Sequence, residues 1–320
     1  MTRDQILKQK ALFTSFIVPV FNEEKNLNAF VKALGETAQK LTEHYEIILI
    51  DDGSRDNSLA LIEAQTQNDA RIKMISLSRN FGKENALTAG LEHCQGDVAI
   101  MIDADFQHPF STIDEFLANW SLGYDMVYAV RKDRRNESRL KRFLTQGFYR
   151  LIDRLSATKI PMNASDFRLL DRKVINAIND CREYNRFMKG LYAWVGFKSI
   201  AVTYEVQNRE GGASSFSFKR LLELALTGIF SFSNIPLRIW SLIGLFISSI
   251  SFVYALFIVF DTLIFGVDTP GYATIVVAIM FFGGVQLLSI GILGEYIGRI
   301  FSEVKKRPKY LIDKSIGFEK

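Results

Sequence analysis

Short apolar runs, each closed by a polar turn, recur through the first part of the chain. Residues 16–21, 46–50, 72–77, 98–102 and 124–130 read as strands, and their near-continuous apolar character predicts burial on both faces. Between them the spacing turns helical. Leu27, Phe30, Val31 and Leu34 fall on one helical face, and a further helix is expected over residues 86–93. Strands alternating with helices in this way predict a doubly wound, mostly parallel α/β sheet.

The pattern changes beyond residue 215. A Gly-containing loop at 210–216 leads to residues 218–232, which suit an amphipathic helix lying on a membrane surface. Residues 239–260 then run 22 positions without a charge, about 33 Å as a helix, enough to cross a bilayer. Residues 270–294 form a second uncharged run. A buried core helix explains one such run poorly and two in succession worse, so a transmembrane hairpin is predicted. Its linker carries Asp261 and Asp268 and no Lys or Arg, whereas Lys219, Arg220 and Arg238 precede it and Arg299, Lys305, Lys306, Arg307, Lys309 and Lys314 follow. That bias places both termini and the N-terminal domain on the cytoplasmic side of an inner (plasma) membrane. The expected division is a cytoplasmic domain at 1–215, an interfacial segment at 216–236, a hairpin at 237–298 and a basic tail at 299–320. Gly283, Gly284, Gly291 and Gly294 permit close helix packing, which suits a homo-oligomer. Glu295 is read as reaching water at the membrane boundary.

Composition adds little to this pattern. The net charge of +4 and the 48% hydrophobic content are unexceptional taken over the whole chain, and no nucleic-acid partner is expected. Cys94 and Cys181 stand far apart in no metal or redox spacing, which fits a reducing compartment. No secretory signal is read at the N-terminus, where the apolar run is short and broken by Pro19.

The chemistry is concentrated at strand ends. Asp103-Ala104-Asp105-Phe106-Gln107 follows the fourth strand, at the rim where open α/β sheets bind ligands. Two carboxylates held together repel, so a divalent cation is their natural partner, although an acidic turn capping the next helix has the same sequence. Asp51-Asp52-Gly53-Ser54 closes the second strand. An Asp there can accept from a ribose or base edge, and Asp56 or Ser58 can instead cap the following helix. Arg131 opens a basic run that continues to Arg139 and Arg142. Such a run usually marks a solvated face, but its place after a strand end suits phosphate, and Arg131 can hold two phosphate oxygens at once. Residues 185–197 read as an interfacial helix and turn.

Taken together, these segments resemble the family 2 inverting glycosyltransferases, and within them the polyisoprenyl-phosphate glycosyltransferases. The matching stretches are 18–27, 47–58, 77–91, 103–109, 166–174 and the C-terminal apolar pair, in order along nearly the whole chain. The resemblance implies a nucleotide-diphospho-sugar transferase fold. It puts Pro19, Phe21, Asn22 and Glu23 around the base and ribose, and Asp52, with Asp51 as alternative, on the base. Lys83 and Ala104 join the nucleotide site. Asp103 and Asp105 serve Mg²⁺ or Mn²⁺ and the diphosphate, with Gln107 as a third ligand. Where relatives often carry an acid, this chain has His108, read as hydrogen-bonding to backbone in preference to ligating metal. Asp166 takes the position of the catalytic base, with Arg168 beside it. Arg131, Arg139, Arg142, Arg168, Lys219 and Arg220 are the acceptor-side cations, and Ser215 and Phe216 stand where relatives have Lys and an aromatic. The implied reaction moves a hexose, glucose from UDP-glucose first, with GDP-mannose, UDP-GlcNAc, UDP-galactose or a UDP-arabinose derivative as alternative donors, to undecaprenyl phosphate with inversion. A processive polysaccharide synthase is disfavoured because no Gln-x-x-Arg-Trp motif is present, and a catalytically dead scaffold because the acidic residues are intact.

Overall fold

The computed structural model describes residues 12–131, 164–184, 186–204 and 271–318, with scattered positions between 246 and 264. Arg139, Arg142, Lys219 and Arg220, the loop at 210–216 and the expected interfacial helix at 218–232 lie outside the described residues.

The sheet has eight strands. In chain order they are β1 (Phe13–Val20), β2 (His44–Asp51), β3 (Ile72–Leu77), β4 (Val98–Met101), β5 (Met126–Arg131), β6 (Ala164–Asp171), β7 (Ser199–Tyr204) and β8 (Ile312–Ile316). Their spatial order is β7-β5-β6-β4-β1-β2-β3-β8. The β4-β1-β2-β3 block is parallel, as are β5 and β7, while β6 and β8 run antiparallel to their neighbours. The chain passes from β1 outward to β3 and then returns to β4 on the other side of β1. The order therefore switches between β1 and β4, where the crevice of a doubly wound sheet opens.

Helices α1 (Leu27–Leu41), α2 (Ser58–Asn68), α3 (Lys83–His93), α4 (Ser111–Ser121), α5 (Arg172–Asp180) and α6 (Met188–Trp194) cover both faces. Alternation along β1 divides the core. Phe16 and Val18 pack with Leu27 and Phe30 of α1 and Phe116 of α4, while Ile17 packs with Leu87 and Leu91 of α3 and Val174 of α5. Gly90 lets α3 lie against β1, because a Cβ there would stand 2.3 Å from Ile17 Cγ2. Residues 185–197 had suggested an interfacial helix, but α6 buries Met188, Leu191 and Tyr192 in the second core. Trp194 at its end is 61% exposed.

The last helix, α7 (Tyr272–Val304), runs ten residues past the expected end of the second span at 294. Residues 281–304 are, among the described residues, the one helical stretch long and apolar enough to cross a bilayer. Leu287, Ile297 and Val304 are 62–71% exposed, which is costly in water and suited to lipid. The described positions between 246 and 264 are helical, with Phe246, Phe257, Phe260 and Leu263 exposed. After α7 the chain turns back to the sheet. The expected basic tail contains β8, which pairs with the free edge of β3, and Ser78 N–H donates to Leu311 O at 2.9 Å.

Candidate active site

Polar residues after β1 and β2 lace two loops into one rim. Asn22, in the left-handed region at φ 56°, donates its N–H to Ser54 Oγ at 3.0 Å and accepts from Arg55 N–H at 2.8 Å. Glu23 N–H donates to Ser58 Oγ at 2.9 Å, and Glu24 accepts from Asn57 N–H at 3.1 Å. Phe21 emerges from this rim 43% exposed, beside the half-buried Pro19, free to stack on a planar group.

Asp51 and Asp52 hold backbone instead of facing the rim. Asp51 accepts from Ser54 N–H at 3.2 Å and Ser76 Oγ at 3.3 Å. Asp52 takes Phe81 N–H at 2.7 Å and Gly82 N–H at 3.0 Å on its two oxygens, fixing the β3–α3 loop. Burial pushes its pKa up, opposed by those two N–H groups. Both residues are at most 3% exposed, and their oxygens brace loops where a base contact had been expected. Gly53, at φ 68°, is required between the two loops, since a Cβ would sit 2.5 Å from Arg79 C.

The Asp103–Gln107 turn forms directly after β4. Ala104 is buried at 3% exposure, leaving Asp103 and Asp105 partly open on either side. Phe106 adopts φ 56°, a strained setting for a bulky residue costing about 1–3 kcal/mol. Its ring is held edge-on against Phe30 at 5.3 Å, and Asp105 Oδ1 accepts from Gln107 N–H at 3.1 Å. Local strain thus persists where the carboxylates are presented.

Lys83, the first residue of α3, joins two separate strand ends. Its ammonium lies 2.7 Å from Asp103 Oδ1 and 3.1 Å from Asp166 Oδ2 on β6. Burial opposes the charge on Lys83, but the two carboxylates outweigh it and raise its pKa. Burial likewise works against Asp103 and Asp166, and Lys83 dominates in turn, holding both below the usual carboxylate range. His108, buried at 4% exposure, places Nε2 3.6 Å from Asp103 Oδ2 and packs against Phe167 at 4.8 Å. It backs the Asp pair, where a backbone hydrogen bond had been expected.

On the β5 side, Arg131 donates from Nη2 to Gln107 Oε1 at 3.2 Å and from Nε to Tyr204 OH at 3.3 Å. Gln107's amide oxygen is therefore turned to Arg131, where it had been expected to face a metal. Arg168 is a correction of another kind. It is 3% exposed, its guanidinium lies 3.6 Å from the centre of the Tyr192 ring, and it donates to Ser165 O at 2.7 Å. On β6 its side chain falls on the core side, with the charge of Asp166 among those acting on it, where an acceptor-facing cation had been expected.

Glu84 had not been singled out. Its carboxylate accepts from Met188 N–H at 2.9 Å, tying α3 to α6. Burial first, and the charge of Asp166 second, push its pKa up to about 7. The only signal in the sequence was its place beside Lys83. Tyr204, which steadies Arg131, lies 73 residues away and left no local signal.

The family profile of glycosyl transferase family 2 matches residues 15–178, and the profile of the GtrB C-terminal hairpin matches residues 235–300. The chain belongs to glycosyl transferase family 2. A glycosyltransferase of Synechocystis sp. is 47% identical over 305 residues, 95% of this chain and 96% of that protein. A prophage-derived bactoprenol glucosyl transferase of Shigella flexneri is 47% identical over 301 residues, 94% of this chain and 97% of its own. Among solved structures, glucosyl-3-phosphoglycerate synthase from Mycobacterium tuberculosis aligns over 71% of this chain and 79% of its own, with 16% identity and a TM-score of 0.48.

Proposed function

We propose that this glycosyltransferase moves glucose from UDP-glucose to undecaprenyl phosphate, with inversion at the anomeric carbon. The observation that carries the reading is the Asp103–Lys83–Asp166 cluster at the β1/β4 crevice, in a chain whose C-terminal part matches the GtrB hairpin. Relatives 45–47% identical along more than nine-tenths of the chain are named bactoprenol glucosyl transferases, which supports the sugar and the lipid.

The residues fit a divalent cation. Asp103, Asp105 and Asp166 bring three carboxylates to the crevice, and Asp166 Oδ1 is buried without a hydrogen-bond partner. Among the described residues no three His, Cys, Asp or Glu side chains close into a cage, so the donor diphosphate would complete the shell, as is usual for Mg²⁺ and Mn²⁺. Asp103 and Asp105 would hold the ion, which when bound neutralises charge on the departing diphosphate.

A phosphate monoester has a second pKa of about 6 and is mostly a dianion at neutral pH, so little proton removal is asked of Asp166. Held ionised by Lys83, Asp166 positions the acceptor and keeps Lys83 in place. Arg131, steadied by Gln107 and Tyr204, presents a planar pair of donors to a phosphate. Phe21 stacks on the base, and the loops laced by Asn22 and Glu23 shape its pocket. α7 and the run at 239–260 anchor the domain on the cytoplasmic face of the inner membrane, where basic residues flank both ends.

The test supplies the full-length protein in detergent with undecaprenyl phosphate, Mg²⁺ or Mn²⁺, and a panel of UDP- and GDP-sugars. Mass spectrometry should find one dominant glucosyl phospholipid, made from UDP-glucose. A different dominant sugar would overturn the donor assignment. Binding of nucleotide sugar without any lipid product would overturn the reaction.

A further inference from the structure

A cavity of about 450 Å³ opens beside the carboxylate cluster, and its walls come from three distant parts of the chain. Arg79 and Lys83 come from the β3–α3 loop and the start of α3, Tyr184 and Arg186 from the segment before α6, and Lys309 from the segment after α7. Four cations thus surround one space, with Glu84 the one carboxylate among the lining residues. Glu84 is already committed to Met188 N–H.

Of the acids just outside the cavity, Glu183 lies near Arg186 and Lys309, and two others are committed elsewhere. Glu303 accepts from Tyr184 N–H at 2.8 Å, and Glu92 accepts from Tyr310 OH at 2.5 Å. Lys309 donates only to Cys181 O, at 3.2 Å, and has no ion-pair partner among the described residues. Its charge is disfavoured by burial and by nearby Arg186, which lower its pKa. Arg186 is 6% exposed, and its Nε is buried with no hydrogen-bond partner. Lys83 has its carboxylates, but Arg79, Arg186 and Lys309 have no ion-pair partner among the described residues, and an anion bearing several acceptor oxygens would supply one.

We infer that this cavity is a phosphate-binding site that the segment following the membrane helix completes with Lys309. The inference rests on the glycosyltransferase reading and adds to it a substrate-binding residue from beyond α7. Lys83 belongs both to the cavity wall and to the Asp103–Asp166 cluster, so a phosphate held here lies next to the reacting centre. The Glu303–Tyr184 bond fixes the cytoplasmic end of α7 at its outer wall. Two substrates carry the required chemistry, the monoester of the lipid acceptor and the diphosphate of the sugar nucleotide.

Steady-state kinetics of the full-length protein with Lys309→Gln and Arg79→Gln decide this, using farnesyl phosphate as acceptor and UDP-glucose as donor. Loss of one charge-assisted contact should raise one KM about tenfold, with the thermal midpoint unchanged and Lys309→Arg restoring the wild-type value. A rise confined to farnesyl phosphate assigns the site to the acceptor, and one confined to UDP-glucose assigns it to the donor. Both KM values unchanged, or a fall in kcat that tracks a lower thermal midpoint, would overturn the inference. Wild-type protein that makes no lipid product would instead refute the parent reading, leaving the two failures distinguishable.

Discussion

Lys83 and Asp166 lie 83 residues apart in sequence, yet the ammonium and the carboxylate meet at 3.1 Å. Asp103 Oδ1 completes the contact 2.7 Å from the same nitrogen, so one side chain bridges the ends of two strands. Replacing Lys83 with Met leaves Asp103 and Asp166 without the ammonium that bridges them. Turnover should fall on the order of a hundredfold, the usual loss when a fixed electrostatic contact at a reacting centre is removed. Lys83→Arg should recover part of it. Glucosyl-lipid formation within fivefold of wild type in Lys83→Met would show that the ammonium is dispensable.

Asp105 differs from Asp103 in having no cationic side chain assigned to it among the described residues, and its Oδ1 caps the Asp103–Gln107 turn. Asp105→Asn keeps that acceptor oxygen, so the thermal midpoint should hold while turnover is lost. Chelation with EDTA should silence the wild-type protein in the same way, and added Mg²⁺ or Mn²⁺ should restore it. Full activity in either arm would remove the divalent cation from the scheme.

The sequence showed the parallel half of the sheet because the strands there are near-continuous apolar runs buried on both faces, as in residues 47–50. It concealed β8, whose sequence Ile-Asp-Lys-Ser-Ile is mostly exposed and polar, and whose place depends on β3 having a free edge. The Asp103–Asp105 pair was legible because its spacing and its position after a strand are local features. The real partners of Asp51 and Asp52 were not, since a carboxylate that braces a loop and one that meets a ligand carry the same letters. Arg168 shows the same limit. Its neighbours suggested an acceptor site, but strand alternation placed its side chain against Tyr192.

Glu84 supplies a pH signature. Its pKa is raised from 4.5 to about 7 on folding, so between those values the folded state holds a proton that the unfolded state has released. The contribution of this group to stability is therefore fully present below pH 4.5 and is lost as pH rises toward 7. Glu84→Gln keeps an oxygen for Met188 N–H and cannot ionise. Its thermal midpoint relative to wild type should rise with pH across this window, as followed by unfolding in detergent. A constant difference at all pH values would mean that Glu84 does not titrate there.

β8 ties the end of the chain to the catalytic domain at the edge of β3. Met74, Ile75, Ser76 and Leu77 pair with Ile316, Ser315, Lys314 and Ile312, and Lys314 Nζ lies 2.7 Å from Glu63 Oε1. A stop after Leu311 removes the strand and the ion pair but keeps Lys309, so the cavity lining stays intact. The exposed ion pair adds little, and the loss comes mainly from edge backbone bonds. A loss of about 2 kcal/mol, roughly 4–8 °C in thermal midpoint for a domain of this size, is expected, with β3 more open to proteolysis and self-association. Farnesyl phosphate should retain its KM, since the truncation spares the four cations of the cavity. A midpoint that does not move would show that β8 rests on the edge without stabilising it.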